Sequence, residues 1–184
     1  MAFDATYDAC VLHPAGLRDL LIRLATTGLF RAHWSTDILD EMVRSILRRR
    51  PDLTEAQLAR TRQLMCEAVP DCLTTGYERL LDGLHLPDPN DRHVVAVAIR
   101  SGSQVIVTEN LSDFPADVLR SYNIEAQTPD EFLLHLVDLS PATIFRVLEA
   151  QAAALRNPPM SVDELLDHLT RSGLSRSVAA LRGR

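Results

Sequence analysis

The chain has no lysine: all 19 basic residues among its 184 are arginine. That absence excludes chemistry needing an ε-amine, including the phosphate-gripping lysine of a P-loop and a Schiff base. It also counts against a phosphoacceptor receiver domain, and no glycine-rich loop follows a strand to cradle a nucleotide. No run approaches the roughly 20 apolar residues needed to span a bilayer. Residues 1–10 carry Asp4 and Asp8 and no basic region, which is not the pattern of a secretory signal. Cysteine is scarce: Cys10, Cys66 and Cys72 are odd in number and lack CxxC spacing. Reduced thiols in a cytoplasmic protein are the expectation. No histidine pair has the spacing of a zinc site.

What is present is an ordinary globular balance, 46% apolar and 24% charged, long enough for one α/β domain or a smaller one with an appendage. A net charge of −6 argues against a simple nucleic-acid binder. The charge is uneven, however. Between Met42 and Cys66 stand Arg44, Arg48, Arg49, Arg50, Arg60 and Arg62 against only Asp52 and Glu55. After Asp167 come Arg171, Arg176, Arg182 and Arg184 and no acid. Such patches can hold a polyanion while the acids gather cations.

Ala5 to Leu12 reads as a short strand. His13-Pro14 opens a helix with Leu17, Leu20, Leu21 and Leu24 at helical spacing, stopped by Gly28. Ser35 caps a second helix with the apolar set Ile38, Leu39, Met42, Val43, Ile46 and Leu47. Thr54 to Gln57 fits a capping box opening a third. Cys72 to Thr75 suggests a short strand and Tyr77 to Leu81 a brief helix. Asp88-Pro89-Asn90-Asp91 leads into Val94 to Ile99, a helix apolar on most sides and so buried beneath a sheet. Gln104 to Thr108, rich in β-branched residues, is the best parallel strand. Pro115 opens another helix, and Ile124 to Gln127 reads as a last strand. Alternation of strands and helices points to an α/β fold with a parallel sheet. From Thr128 onward there are only capped helices, so the division falls at 1–127 and 128–184. Asp130, Glu131, Asp163 and Glu164 are expected as exposed first-turn acids. The apolar stripes Phe132, Leu133, Leu136, Val137 and Ile144, Phe145, Val147, Leu148, Leu155 must pack on the first unit, on a partner or on a second copy.

Asp8 ends the first strand, Asp91 sits in the first turn of the buried helix and Asp113 in the loop after Gln104 to Thr108, at the edge where open α/β sheets bind ligands. Glu41 lies off the apolar stripe of its helix. Each has an ordinary structural explanation: a solvated acid for Glu41, a cap for Asp88 and Asp91, a turn residue for Asp113. Asp8, after apolar strand residues, is the costliest to leave unpaired.

These residues carry a resemblance. Asp8-Ala9-Cys10-Val11-Leu12, then Trp34-Ser35 leading to Glu41, resemble the first two acidic motifs of PIN domains. Leu86 to Ala96 resembles the third, and Val107-Thr108-Glu109-Asn110-Leu111-Ser112-Asp113-Phe114-Pro115 the fourth. Order and spacing over residues 1–127 are similar to bacterial PIN proteins of the VapC toxin type, some of which carry a helical C-terminal extension. The resemblance implies a three-layer sandwich, a short parallel sheet flanked by helices, with an all-helical extension behind it. It implies a cytoplasmic endoribonuclease toxin of a toxin–antitoxin pair, leaving a 3′-hydroxyl and a 5′-phosphate. Asp8, Glu41, Asp91 and Asp113 then match the quartet holding Mg2+ or Mn2+, with Asp88, Thr108 and Asn110 around it. Hard divalent cations suit such oxygen donors. Arg44, Arg48, Arg49 and Arg50 are candidates for the RNA backbone. His93 is expected to be structural or RNA-facing. Partners implied are RNA, a cognate antitoxin and a second copy, with no membrane. Rival readings are a housekeeping PIN nuclease without an antitoxin and a catalytically silent RNA- or protein-binding module.

Overall fold

The computed structural model describes residues 2–183; Arg184, counted above in the basic tail, lies outside them. Four strands form one parallel sheet in the order β2-β1-β3-β4. They are β1 Phe3–Tyr7, β2 Phe30–His33, β3 Val105–Val107 and β4 Glu125–Gln127. All four carboxyl ends therefore open on one edge. β3 is wholly buried, Val105-Ile106-Val107 being covered on both faces as a central parallel strand requires.

Side-chain alternation along β1 sends Phe3, Ala5 and Tyr7 to one face. There Phe132 meets Phe30 edge-on at a centroid distance of 5.0 Å and Tyr7 at 6.3 Å. The buried Tyr7 hydroxyl donates to the Leu21 carbonyl at 3.1 Å, inside α2 (Ala15–Ala25). The apolar helix α5 (Arg92–Ser101) packs along β1, β2 and β3, with Val94 to Ala98 fully buried. Gly102 ends it at φ 73°, a left-handed conformation that costs glycine little. Among the described residues no helix is long and apolar enough to cross a membrane.

The structure departs from the sequence reading in several elements. β1 stops at Tyr7, and Ala9–Leu12 is a short helix, α1. Apolar residues suit either state; here the Val11 amide turns back onto the Asp8 carbonyl at 3.2 Å, and Val11 and Leu12 are buried. β2 was not legible, yet it pairs with β1 from Phe3↔Phe30 to Thr6↔His33. Cys72 to Thr75 gives only a single bridge, Leu73 to Trp34. The brief helix expected over Tyr77 to Leu81 forms as a 3-10 helix, Glu78–Gly83, and Pro89–Asp91 is a 3-10 turn ahead of the next helix. The helices α3 (Thr36–Arg49) and α4 (Glu55–Ala68) form as capped by Ser35 and Thr54. α6 is Ala116–Arg120.

The C-terminal helices are α7 (Pro129–Leu139), α8 (Pro141–Ala154), α9 (Val162–Arg171) and α10 (Ser175–Arg182). α8 docks on α2, where Gln151 donates to the Gly16 carbonyl at 3.0 Å. Asp130 is a correction. It is buried, not exposed, and its carboxylate accepts from the Arg176 and Ser177 amides at 3.0 and 2.9 Å and the Ser177 hydroxyl at 2.6 Å. It caps another helix instead of its own, because α10 lies across the start of α7.

Candidate active site

Asp8 leaves β1 at the carboxyl edge of the sheet, its amide donating to the Val107 carbonyl at 3.1 Å. The pairing sets it beside Thr108, which continues β3. The buried Thr108 hydroxyl donates to Asp8 Oδ2 at 2.7 Å and accepts the Asn110 amide at 3.0 Å. The Cys10 thiol also donates to Asp8 Oδ2, at 3.1 Å, and accepts from the Glu109 amide at 3.3 Å. One carboxylate oxygen is thus held by two donors, which fixes the rotamer of a side chain that is itself 4% exposed. The Asn110 side chain takes no part in this network; its contribution is the backbone amide.

Asp91 closes the Pro89–Asp91 turn just before α5. Its carboxyl is pushed up to about 6, by burial first and then by Asp8, Asp88, Asp113 and Glu41 in that order. Asp8, Asp88, Asp113 and Glu41 thus lie within electrostatic reach of the Asp91 carboxyl. Asp113 ends a 3-10 turn, Leu111–Asp113, which follows β3; its side chain has only a long 3.5 Å contact from the Ser112 hydroxyl. Asp88 is exposed and caps the turn through the Asn90 amide at 2.8 Å, so the capping explanation for it holds.

Glu41, on α3, faces His93 on α5. His93 Nδ1 lies 2.6 Å from the Asn90 carbonyl, which can only accept, so Nδ1 carries a proton. Nε2 lies 3.4 Å from Glu41 Oε2: an ion-pair distance, though the ring nitrogen makes no directed hydrogen bond. The His93 imidazole beside it holds the Glu41 carboxyl below its usual range. Burial depresses His93, but Glu41, the Asn90 carbonyl and Asp8 outweigh it and the net shift is upward. His93 thus stands beside Glu41 and within electrostatic reach of Asp8.

The arginines divide. Arg44 and Arg48 line a cavity of about 430 Å³, together with Asp37, Asp40, Glu41, Asn90 and His93. Arg49 lies near His13, whose imidazole is pushed down by burial and then by that guanidinium. Arg50 forms a two-pronged pair with Asp52 at 2.8 and 2.6 Å. Of the four, Arg44 and Arg48 line the cavity that holds Glu41. A larger cavity, 540 Å³, lies between α2 and α4 and includes none of the acids.

Among the described residues, no group of three or more His, Cys, Asp or Glu side chains is arranged to hold a metal ion directly between them. Magnesium needs no such cage, because it keeps several waters and binds through one or two carboxylates plus substrate phosphates. The donor set is all carboxylate oxygen, and Asp91 is raised by burial first and by the neighbouring acids after it. The residues fit a hard divalent cation.

Sequence reasoning missed the His93–Glu41 pair, the Cys10 thiol on Asp8, and Asp4. Asp4 is buried in β1 and bound by Arg31 at 2.8 and 2.6 Å and by His33 at 2.7 Å. The pairing Asp4↔Arg31 across β1 and β2 is the signal, and it requires knowing that β2 exists.

A family model described as PIN domain matches residues 4–112 of the chain. A second, described as VapC50 C-terminal domain, matches residues 129–183. A Mycobacterium tuberculosis (strain ATCC 25618 / H37Rv) protein named "Putative ribonuclease VapC50" is 40% identical over 106 residues, covering 55% of this chain and 62% of that protein. The match thus spans less than two thirds of that relative's length. No solved structure matches the chain.

Proposed function

The chain belongs to the PIN-domain family, and from that premise we propose that it is a Mg2+- or Mn2+-dependent endoribonuclease, the toxin of a toxin–antitoxin pair. Asp8, Glu41, Asp91 and Asp113 are its catalytic carboxylates. The observation that carries the reading is their convergence on Asp91: Asp8 beyond β1, Glu41 on α3 and Asp113 beyond β3 all act on the Asp91 carboxyl that precedes α5.

In this reading Asp8, Asp91 and Asp113 hold the cation, with Glu41 beside them. The ion supplies charge for the phosphoryl oxygens and acidifies the attacking water. Thr108 and Cys10 keep the Asp8 carboxylate aimed into the site by holding its Oδ2. His93 orients Glu41 and tempers the repulsion among the acids. Arg44 and Arg48 offer guanidinium groups to a phosphate next to the scissile one, in the cavity that they share with Glu41. A cognate antitoxin and a cytoplasmic site of action are what the resemblance to VapC-type toxins implies.

Purified protein incubated with total RNA tests the proposal. Cleavage is expected with magnesium or manganese and should stop on chelation, leaving 5′-phosphate ends. Full activity in excess chelator contradicts it.

A further inference from the structure

We propose that the C-terminal helices form one wall of the RNA channel, with Arg176 of α10 holding a backbone phosphate on the β4 side of the acids. This rests on the nuclease reading and adds where the substrate of that site runs.

The sheet order fixes the geometry. β2 lies at one edge and leads into α3, so Arg44, Arg48 and their cavity flank the acids from the β2 side. β4 lies at the other edge and leads through Thr128 into α7. The third residue beyond β4 is Asp130, which takes the amides of Arg176 and Ser177. α10 is therefore fastened to the same edge of the sheet as the catalytic carboxylates, on their opposite flank.

The fastening adjoins the acids. The Thr108 amide donates to the Gln127 carbonyl at 2.9 Å while its hydroxyl holds Asp8. One residue on, the Glu109 carboxyl is raised by burial and then by Asp130, so the two acids lie within electrostatic reach of each other.

Asp130 already takes the Arg176 and Ser177 amides at the start of α10. What the helix presents is the Arg176 guanidinium. That side chain is 65% exposed and only loosely paired with Glu131, at 3.8 Å. An exposed pair at such a distance contributes little, so exchanging Glu131 for a phosphate costs little. Asp8 follows β1, and Glu109 and Asp113 follow β3, the two strands that stand between β2 and β4. An RNA strand crossing that acidic stretch needs cations on both sides of it.

The test compares full-length wild type with Arg176→Ala, using labelled single-stranded RNA of about 20 nucleotides and one of about four, in low salt. Binding is read by fluorescence anisotropy in chelator, and KM and kcat are read in manganese. Arg176→Ala should weaken binding and raise KM on the long RNA by about 5- to 20-fold, with kcat and short-RNA kinetics within about twofold. The log–log salt slope should become shallower by about 0.7, the loss of one single-strand phosphate contact. Thermal midpoints of the two proteins should agree. Glu131→Gln, which frees the guanidinium, should bind the long RNA as well as wild type or better. Equal affinity and KM for wild type and Arg176→Ala on the long RNA overturns the inference. Absence of any cleavage by wild type refutes the nuclease reading instead, and the anisotropy comparison still decides this one.

Discussion

Asp91 feels the presence of the other acids most, and the consequence is measurable without any RNA. Its carboxyl rises from 3.8 to about 6 through burial and then through Asp8, Asp88, Asp113 and Glu41. A carboxyl whose folded value is raised favours folding in its protonated form. Its contribution is fully present below about pH 3.8 and is lost as pH rises through about 6. In chelator at pH 7 the fold therefore carries an ionised Asp91 at a cost. Asp91→Asn keeps the neutral shape and removes that cost, so its thermal midpoint should exceed that of wild type at pH 7 by a few degrees, at about 2–4 °C per kcal/mol. Near pH 4 the difference should shrink towards nothing. Calorimetry across that range checks it, and a variant melting below wild type at pH 7 contradicts it. The acids themselves were legible in the sequence, because they stand in ordered motifs at expected strand ends. Their helpers were not. His93 meets Glu41 only through the packing of α3 on α5, and Cys10 reaches Asp8 only because α1 coils the chain back.

Where an apolar pattern was long and periodic, the elements followed from it: the leucines of α2, the valines of α5 and the capping boxes of α4, α7 and α9 all stand where the spacing puts them. Short segments were decided by tertiary contact. Phe30-Arg31-Ala32-His33 is too brief to announce a strand, and pairing with β1 makes it one. Ala9 to Leu12 prolongs the apolar run of β1, yet it turns helical at the sheet edge. We propose that the chain divides at residue 128 into a nuclease unit and a helical unit that share one core, since α7 supplies Phe132 to the face formed by Phe3, Tyr7 and Phe30. Phe132 is 1% exposed, and removing its ring leaves a cavity under the sheet. Phe132→Ala should cost about 3–5 kcal/mol of stability in urea unfolding. A loss below about 1 kcal/mol, the scale of an ordinary surface change, would show that α7 is not part of that core.

Residues far apart in the chain, from Asp8 to Asp113, become neighbours because every strand points the same way and one sheet edge collects all the turns that follow. The extension is built onto that edge through Asp130 and onto α2 through Gln151. The account stands on the quartet acting as one metal-dependent site. The most direct measurement is cleavage of a defined RNA in manganese by wild type and by Asp8→Asn, Glu41→Gln, Asp91→Asn and Asp113→Asn, each first shown to be folded. Groups that act as a unit fail together, so each variant should lose at least about 100-fold in kcat/KM. Near-normal turnover in any two of the folded variants would contradict the site.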